Sequence, residues 1–208
     1  MYTLHTWTTP NGRKPLILLE ELGLSYDVVP VNLHEGAQFK PDFLAISPNN
    51  KIPALQDSSA TGGPLALFES GAILTYLAEK HEDFLPAGGL ARYHTLQWLY
   101  WQVGGLGPML GQLGFFARQE APLARAHFAG EVERLLTVLE GALVRHRFVA
   151  GEQYTIADIA CYPWAHAATS QQEVLGEVLA NKPALQRWLA QVGARPAVAR
   201  AMAWQPAP

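Results

Sequence analysis

The first eighty residues alternate short β-rich runs with helical periodicity. Tyr2 to Trp7 reads as a strand, closed by Thr8-Thr9-Pro10-Asn11-Gly12. Lys14 to Leu24 then puts Leu16, Leu19 and Leu22 on one helical face with Glu20 and Glu21 off it, and Gly23 marks the end. Asn11 is the expected N-cap of that helix, because its side-chain oxygen can accept a free backbone N–H. Tyr26 to Leu33 gives a second strand and Pro41 to Ile46 a short helix. Ala54–Asp57 and Leu65–Phe68 form a hairpin across the Gly/Ser-rich stretch 58–64. Ser70 to Lys80 is helical again, with Ala72, Ile73, Tyr76 and Leu77 as its expected buried stripe.

Beyond His81 the period is helical throughout. Residues 82–90, containing Leu85-Pro86-Ala87-Gly88-Gly89, read as a linker. Ala91 to Phe116 carries Leu96, Leu99, Tyr100 and Val103 at helical spacing, with a kink or break expected at Pro108, which lacks an N–H and crowds the preceding turn. Pro122 to Arg147 is a second long helix. Thr155-Ile156-Ala157-Asp158 opens a third as a capping-box variant, and Ala184 to Ala194 gives a fourth. The tail from Pro196 reads as loosely helical. The pattern predicts an α/β domain over 1–81, then an all-α domain over 91–208.

Composition narrows the function classes. Hydrophobic residues make up 49% and charged residues 16%, which suits a large buried core. The net charge of −3 carries no basic run, which argues against nucleic acid and anionic membranes as partners. No apolar stretch reaches the ~18 residues of a membrane span, and the first residues lack signal-peptide character. One cysteine, Cys161, excludes an internal disulfide and a Cys-x-x-Cys pair, so a reducing, cytoplasmic setting is expected. Cys161 lies in an apolar helix and reads as an inert core thiol. The seven histidines show no metal-ligand spacing, so no metal is expected. Trp98, Tyr100 and Trp101 are expected mostly in the core, with one face lining a cofactor cleft or a dimer seam as the alternative.

Three phrases carry candidate chemistry. In Ser47-Pro48-Asn49-Asn50-Lys51-Ile52-Pro53, a proline just before an edge strand is either a cis peptide that turns the Ile52 main chain outward or an ordinary trans strand start. In Phe68-Glu69-Ser70-Gly71, Ser70 at a helix start offers donors for a carboxylate, and Glu69 an acid for an ammonium; simple helix capping explains the same residues. In Thr8-Thr9-Pro10-Asn11-Gly12, hydroxyl and amide donors at a helix start can hold a thiolate, or only cap a turn. Lowering a thiol pKa from ~8.5 to ~6.5 takes about 2.7 kcal/mol, within reach of two or three charge-assisted hydrogen bonds.

All three phrases sit at junctions of one small domain, and together they resemble the thioredoxin-fold half of glutathione transferases. The whole chain is similar to the bacterial nu class. Thr9-Pro10-Asn11-Gly12, Gly36-Ala37-Gln38-Phe39, Phe68-Glu69-Ser70-Gly71, Leu96-Gln97-Trp98 and the run from Trp101 to Gln112 carry the likeness. The resemblance implies a mixed four-stranded sheet in the first domain, a homodimer with each active site in a cleft between two domains, and glutathione, reduced or oxidised, as the cofactor. It implies that Thr9 and Asn11 address the sulfur. Gln38, Lys51, Ile52 and Pro53 would hold the peptide, Glu69 and Ser70 the γ-glutamyl end, and Gln97 would reach in from a partner subunit. Relatives commonly carry an Arg-Tyr pair where this chain reads His127-Phe128, so His127 either stands where a fixed cation would meet a glutathione carboxylate, with weaker holding of a second glutathione or of the disulfide form expected, or simply faces solvent. The implied function is a glutathione-dependent disulfide oxidoreductase acting on a small thiol or disulfide. Conjugation of glutathione to an electrophile, or non-catalytic glutathione binding by a regulator, are the alternatives.

Overall fold

The computed structural model describes residues 1–206. The chain divides into two units: Met1–Asp83 together with the segment from Pro196, and Phe84–Arg195. In the first, strands β1 (Tyr2–Thr6), β2 (Tyr26–Pro30), β3 (Ala54–Asp57) and β4 (Leu65–Phe68) form one sheet in the order β2-β1-β3-β4. β1 runs parallel to β2 and antiparallel to β3, and β4 closes the sheet antiparallel to β3. The second strand stops at Pro30, short of the expected Leu33, because its partner β1 ends at Thr6, whose carbonyl takes one last bond from Val31 N at 2.9 Å.

Helix α1 (Pro10–Glu21) is buried continuously from Gly12 to Leu19. It ends at Gly23 (φ 63°), where the Gly23 and Leu24 N–H groups close back on the carbonyls of Glu20 and Leu19. Helix α3 (Ser70–Lys80) packs on α1, through Ile73, Leu74, Leu77 and Ala78. The expected stripe is therefore rotated: Ala72 is exposed and Tyr76 half-buried, where Leu74 and Ala78 fill the core. Helix α2 (Pro41–Leu44) is a single turn between them in sequence.

The second unit is helical: α4 (Gly89–Trp101), α5 (Gly107–Phe116), α6 (Pro122–Arg145), α7 (Ile156–Ala168), α8 (Gln172–Ala180) and α9 (Pro183–Gly193). No break falls at Pro108. A π-helical turn, Gln102–Leu106, carries the backbone from α4 into α5, and its altered register accommodates the missing N–H. Thr155 and Asp158 form the capping box expected at the start of α7. Asp158 also accepts from Val149 N at 2.9 Å and Trp188 Nε1 at 2.8 Å, tying three segments to one buried carboxylate. Tyr100 is 65% exposed and Trp98 and Trp101 are half-buried, not core, because Thr95, Leu99 and Gln102 form the buried face of this helix.

Two expected boundaries shift. Phe84 belongs to the helical unit, where its carbonyl accepts from Ile156 N at 2.9 Å. The tail does not extend the helical domain to residue 208. It forms α10 (Pro196–Ala203), packed on α1 through buried Ala197, Val198 and Ala201. The buried Arg13 guanidinium donates to the carbonyls of Ala201 and Trp204 at 2.8 and 2.5 Å, and Arg200 pairs with Glu20 at 2.7 Å. Ala207 and Pro208 lie outside the described residues.

Candidate active site

Sheet register brings the three candidate phrases to one end of the first unit. His5, near the end of β1, faces Ala54 at the start of β3, and Ala54 faces Phe68 at the end of β4. The Thr9 loop leaves β1, the Ile52-Pro53 segment enters β3, and Glu69-Ser70 leaves β4. All three therefore emerge from the same edge.

Thr9 is the N-cap of α1, in place of the expected Asn11. Pro10 takes the first helical position, where its missing N–H costs nothing, and that fixes the cap one residue before it. Thr9 Oγ1 accepts from Gly12 N at 3.1 Å. Its own O–H proton is then left to donate elsewhere. Gly12 is held by close approach: a Cβ there would lie 2.2 Å from the Trp7 carbonyl oxygen and 2.5 Å from Thr6 Oγ1. Asn11, half-buried, stands one residue further into the helix.

The Ile52-Pro53 peptide is cis, as one of the two readings of that phrase required. Ser47 Oγ donates to the Lys51 carbonyl at 2.8 Å and Asn50 adopts φ 49°, which together brace the loop. Among the described residues the Ile52 main chain makes no hydrogen bond, although its side chain is anchored in a cluster with Val31, Phe43 and Ala54. Ala37 packs on the same cluster and carries Gln38 on a 3₁₀ turn, Ala37–Phe39. Gln38 Oε1 is buried with no hydrogen-bond partner among the described residues. A buried unpaired amide oxygen beside an open main-chain segment fits a peptide ligand better than a packed core. Lys51 is exposed next to them, and Pro53 is buried.

Ser70 is the first residue of α3 and not its cap. The cap position falls on Glu69, whose backbone (φ 71°, ψ 113°) turns the chain sharply out of β4. A non-glycine residue held there stores about 1–3 kcal/mol, a cost that concentrates at functional sites. No side chain caps α3, so its first N–H groups, at the positive end of the helix dipole, have no side-chain acceptor. Ser70 Oγ, buried, accepts instead from Lys14 Nζ at 3.2 Å. Lys14 escaped sequence reasoning. The available signal was a lysine set directly against the run Pro15-Leu16-Ile17-Leu18-Leu19 in a helix buried on all sides.

Gln97, His127 and Cys161 belong to the other unit, and Tyr2 and Tyr26 to the first. Gln97 is exposed on α4 between Tyr93 and Tyr100. His127 is exposed on α6, edge-on to Phe128 at 5.2 Å, and Phe128 stacks on Phe116 at 5.4 Å. Cys161 is fully buried. Tyr2 pairs with His81 at 2.8 Å and Tyr26 donates to Glu20 at 2.6 Å, and burial pushes both phenols up, so neither is poised to activate a thiol. Among the described residues no cluster of histidine, cysteine or carboxylate side chains could hold a metal, and no helix is long and apolar enough to cross a membrane.

Comparison with known proteins decides the family. Residues 1–79 match the glutathione S-transferase N-terminal domain and residues 109–196 the C-terminal domain. The chain is 50% identical to the disulfide-bond oxidoreductase YfcG of Escherichia coli, over 97% of this chain and 94% of that protein. The chain belongs to the glutathione S-transferase family. Its thioredoxin-like sheet unit and helical unit are the two halves of that architecture. A glutathione transferase family member from Pseudomonas fluorescens, solved with two glutathione bound, superimposes with a TM-score of 0.93 at 45% identity, covering 97% of this chain and 92% of that one. A glutathione transferase from Pseudomonas putida, solved with one glutathione disulfide per subunit, gives 0.92 at 42% identity, covering 97% and 90%.

Proposed function

We propose that this transferase-family chain is a glutathione-dependent thiol–disulfide oxidoreductase of the nu class, with Thr9 and Asn11 at the glutathione sulfur. The observation that carries the reading is the sheet edge itself. A hydroxyl with its proton to spare, an unpaired main-chain segment and an uncapped helix start leave the sheet side by side. These are the three contacts an extended γ-glutamyl tripeptide needs: one for its thiol, one for its peptide bonds, one for its α-carboxylate. The name of the Escherichia coli relative and the ligands of the two Pseudomonas structures support the same chemistry.

Each residue then has a definite task. Thr9 donates its O–H toward the sulfur position, and the α1 N-terminus adds a favourable field for negative charge there. Ile52 offers its N–H and C=O in strand-like pairing, and Gln38 offers an acceptor to the peptide. Ser70 and the α3 N-terminus take the α-carboxylate and Glu69 the ammonium. Lys51 lies exposed beside this path, where it meets the glycyl carboxylate. Bound glutathione supplies the reactive sulfur, so the protein needs no cysteine of its own. His127 offers an imidazole to a second glutathione on the helical unit, where relatives offer an arginine.

We also infer a homodimer. Leu90, Tyr93, Gln97 and Tyr100 line one exposed face of α4, and Leu90, Tyr93 and Tyr100 are 78%, 68% and 65% exposed, an apolar stripe that a second copy would cover. The single buried cysteine suits a cytoplasmic setting. Glutathione-coupled reduction of a small disulfide, run beside conjugation to an aryl halide, tests the reading. Disulfide turnover that is lost in Thr9→Ala supports it. Conjugation without disulfide turnover, or glutathione binding without either activity, overturns it.

A further inference from the structure

Lys14 is 1% exposed, and an ammonium is taken out of water at high cost unless its charge is used. Its Nζ reaches Ser70 Oγ at 3.2 Å, across the interface between α1 and α3. An ammonium has donors only, so the serine oxygen must be the acceptor in that bond. The serine proton is thereby excluded from the Lys14 side and left for another acceptor. Lys14 also polarises the hydroxyl and places a full positive charge directly behind the uncapped start of α3.

We propose that Lys14 is a positioning residue that makes Ser70 an obligatory donor to an α-carboxylate, and so sets the demand of this site for a free γ-glutamyl carboxylate. The inference rests on the glutathione reading above and adds to it the source of the selectivity. Lys14 does not touch the ligand. It acts through the serine hydroxyl and through its charge, which rewards a carboxylate and gives nothing to a neutral group at the same position. The neighbouring Glu69 would recognise the amine whether or not the carboxylate is there, so amine and carboxylate recognition are separable.

The test compares two ligands by titration calorimetry on the full chain: glutathione, and 4-aminobutyryl-cysteinyl-glycine, which keeps the amine and thiol but lacks the α-carboxylate. Wild-type protein favours glutathione. In Lys14→Met the preference falls by roughly tenfold or more, the size of one charge-assisted hydrogen bond, while affinity for the decarboxylated peptide stays within about threefold. A lysine that only supports the fold would weaken both ligands alike and leave their ratio unchanged, and that result overturns the inference. Ser70→Ala serves where Lys14→Met does not fold: a preference that falls likewise supports the assignment, and a preference retained there removes the group through which Lys14 acts and overturns it. Wild-type protein that binds neither peptide overturns the glutathione reading itself, whereas wild-type binding with an unchanged ratio in the variants overturns this inference alone.

Discussion

Thr9 has two tasks that substitution can separate. Its Oγ1 accepts from Gly12 N at 3.1 Å as the cap of α1, and its O–H proton is assigned to the glutathione sulfur. Thr9→Ala removes both. Loss of the cap costs about 1 kcal/mol of stability. Loss of one hydrogen bond to a thiolate costs about 1.5–3 kcal/mol, which at 1.36 kcal/mol per unit raises the bound thiol pKa by roughly 1–2 units. Thr9→Ser keeps both tasks and should match wild type. Thr9→Asp keeps the cap but, ionised, has no proton to give. It should be as stable as wild type while raising the bound thiol pKa at least as far as the alanine does. Urea unfolding reads the first quantity, and pH titration of thiolate absorbance on glutathione-saturated protein reads the second. If Thr9→Ala and Thr9→Asp both leave the bound thiol pKa at its wild-type value, the sulfur lies elsewhere and the assignment is refuted.

Other expectations concern the frame that holds this site. Asp57, 1% exposed, is pushed up by burial, but hydrogen bonds from Lys80, Tyr76 and Ser59 outweigh that and hold it well below the usual carboxylate range. Asp57→Asn should cost about 2–4 kcal/mol near neutral pH, less than a fully buried pair because Lys80 is partly solvated. The folded-state value lies below the unfolded one, so this stabilisation is complete above about pH 4 and drains as pH falls toward the folded value, and unfolding curves of the two proteins should converge in acid. Asp158→Ala strands the Val149 and Thr155 N–H groups and the Trp188 indole in a buried site, and should cost about 3–5 kcal/mol by thermal unfolding. Arg13→Met deprives the Ala201 and Trp204 carbonyls of their donor, and hydrogen exchange should quicken in α10 while α6 keeps its protection.

The alternation of strand and helix was readable because each element follows one period, whereas the proline before a strand left cis and trans both open at Ile52-Pro53, and that strand, β3, lies inside the sheet and not at the expected edge. What escaped was set by position, not by pattern. Asn11 is a better cap in isolation than its neighbour, yet Pro10 at the first helical position hands the cap to Thr9. Ser70 has the side chain of a cap, but the turn out of β4 places that position on Glu69 and turns the serine toward Lys14. Helix α8 was legible in principle, since Val174, Leu175, Val178 and Leu179 repeat at helical spacing behind Ser170-Gln171-Gln172-Glu173, although the cap position falls on Gln171 with no side-chain bond. The tail was undervalued for its prolines. Pro196 stands where proline starts a helix, and Ala197, Val198 and Ala201 are small enough to let α10 lie close against α1. Lys14 was invisible for a deeper reason: a lysine's partner is fixed by the crossing of α1 and α3, which no local window contains.

Calorimetric titration of the folded wild-type protein with reduced glutathione and with glutathione disulfide tests the central claim most directly. Saturable heat with at least one of them, weakened by Ser70→Ala, is the outcome expected of a tripeptide lying along the Ile52 segment with its sulfur at Thr9. Flat titrations with both forms, on material whose unfolding transition shows it to be native, would contradict it.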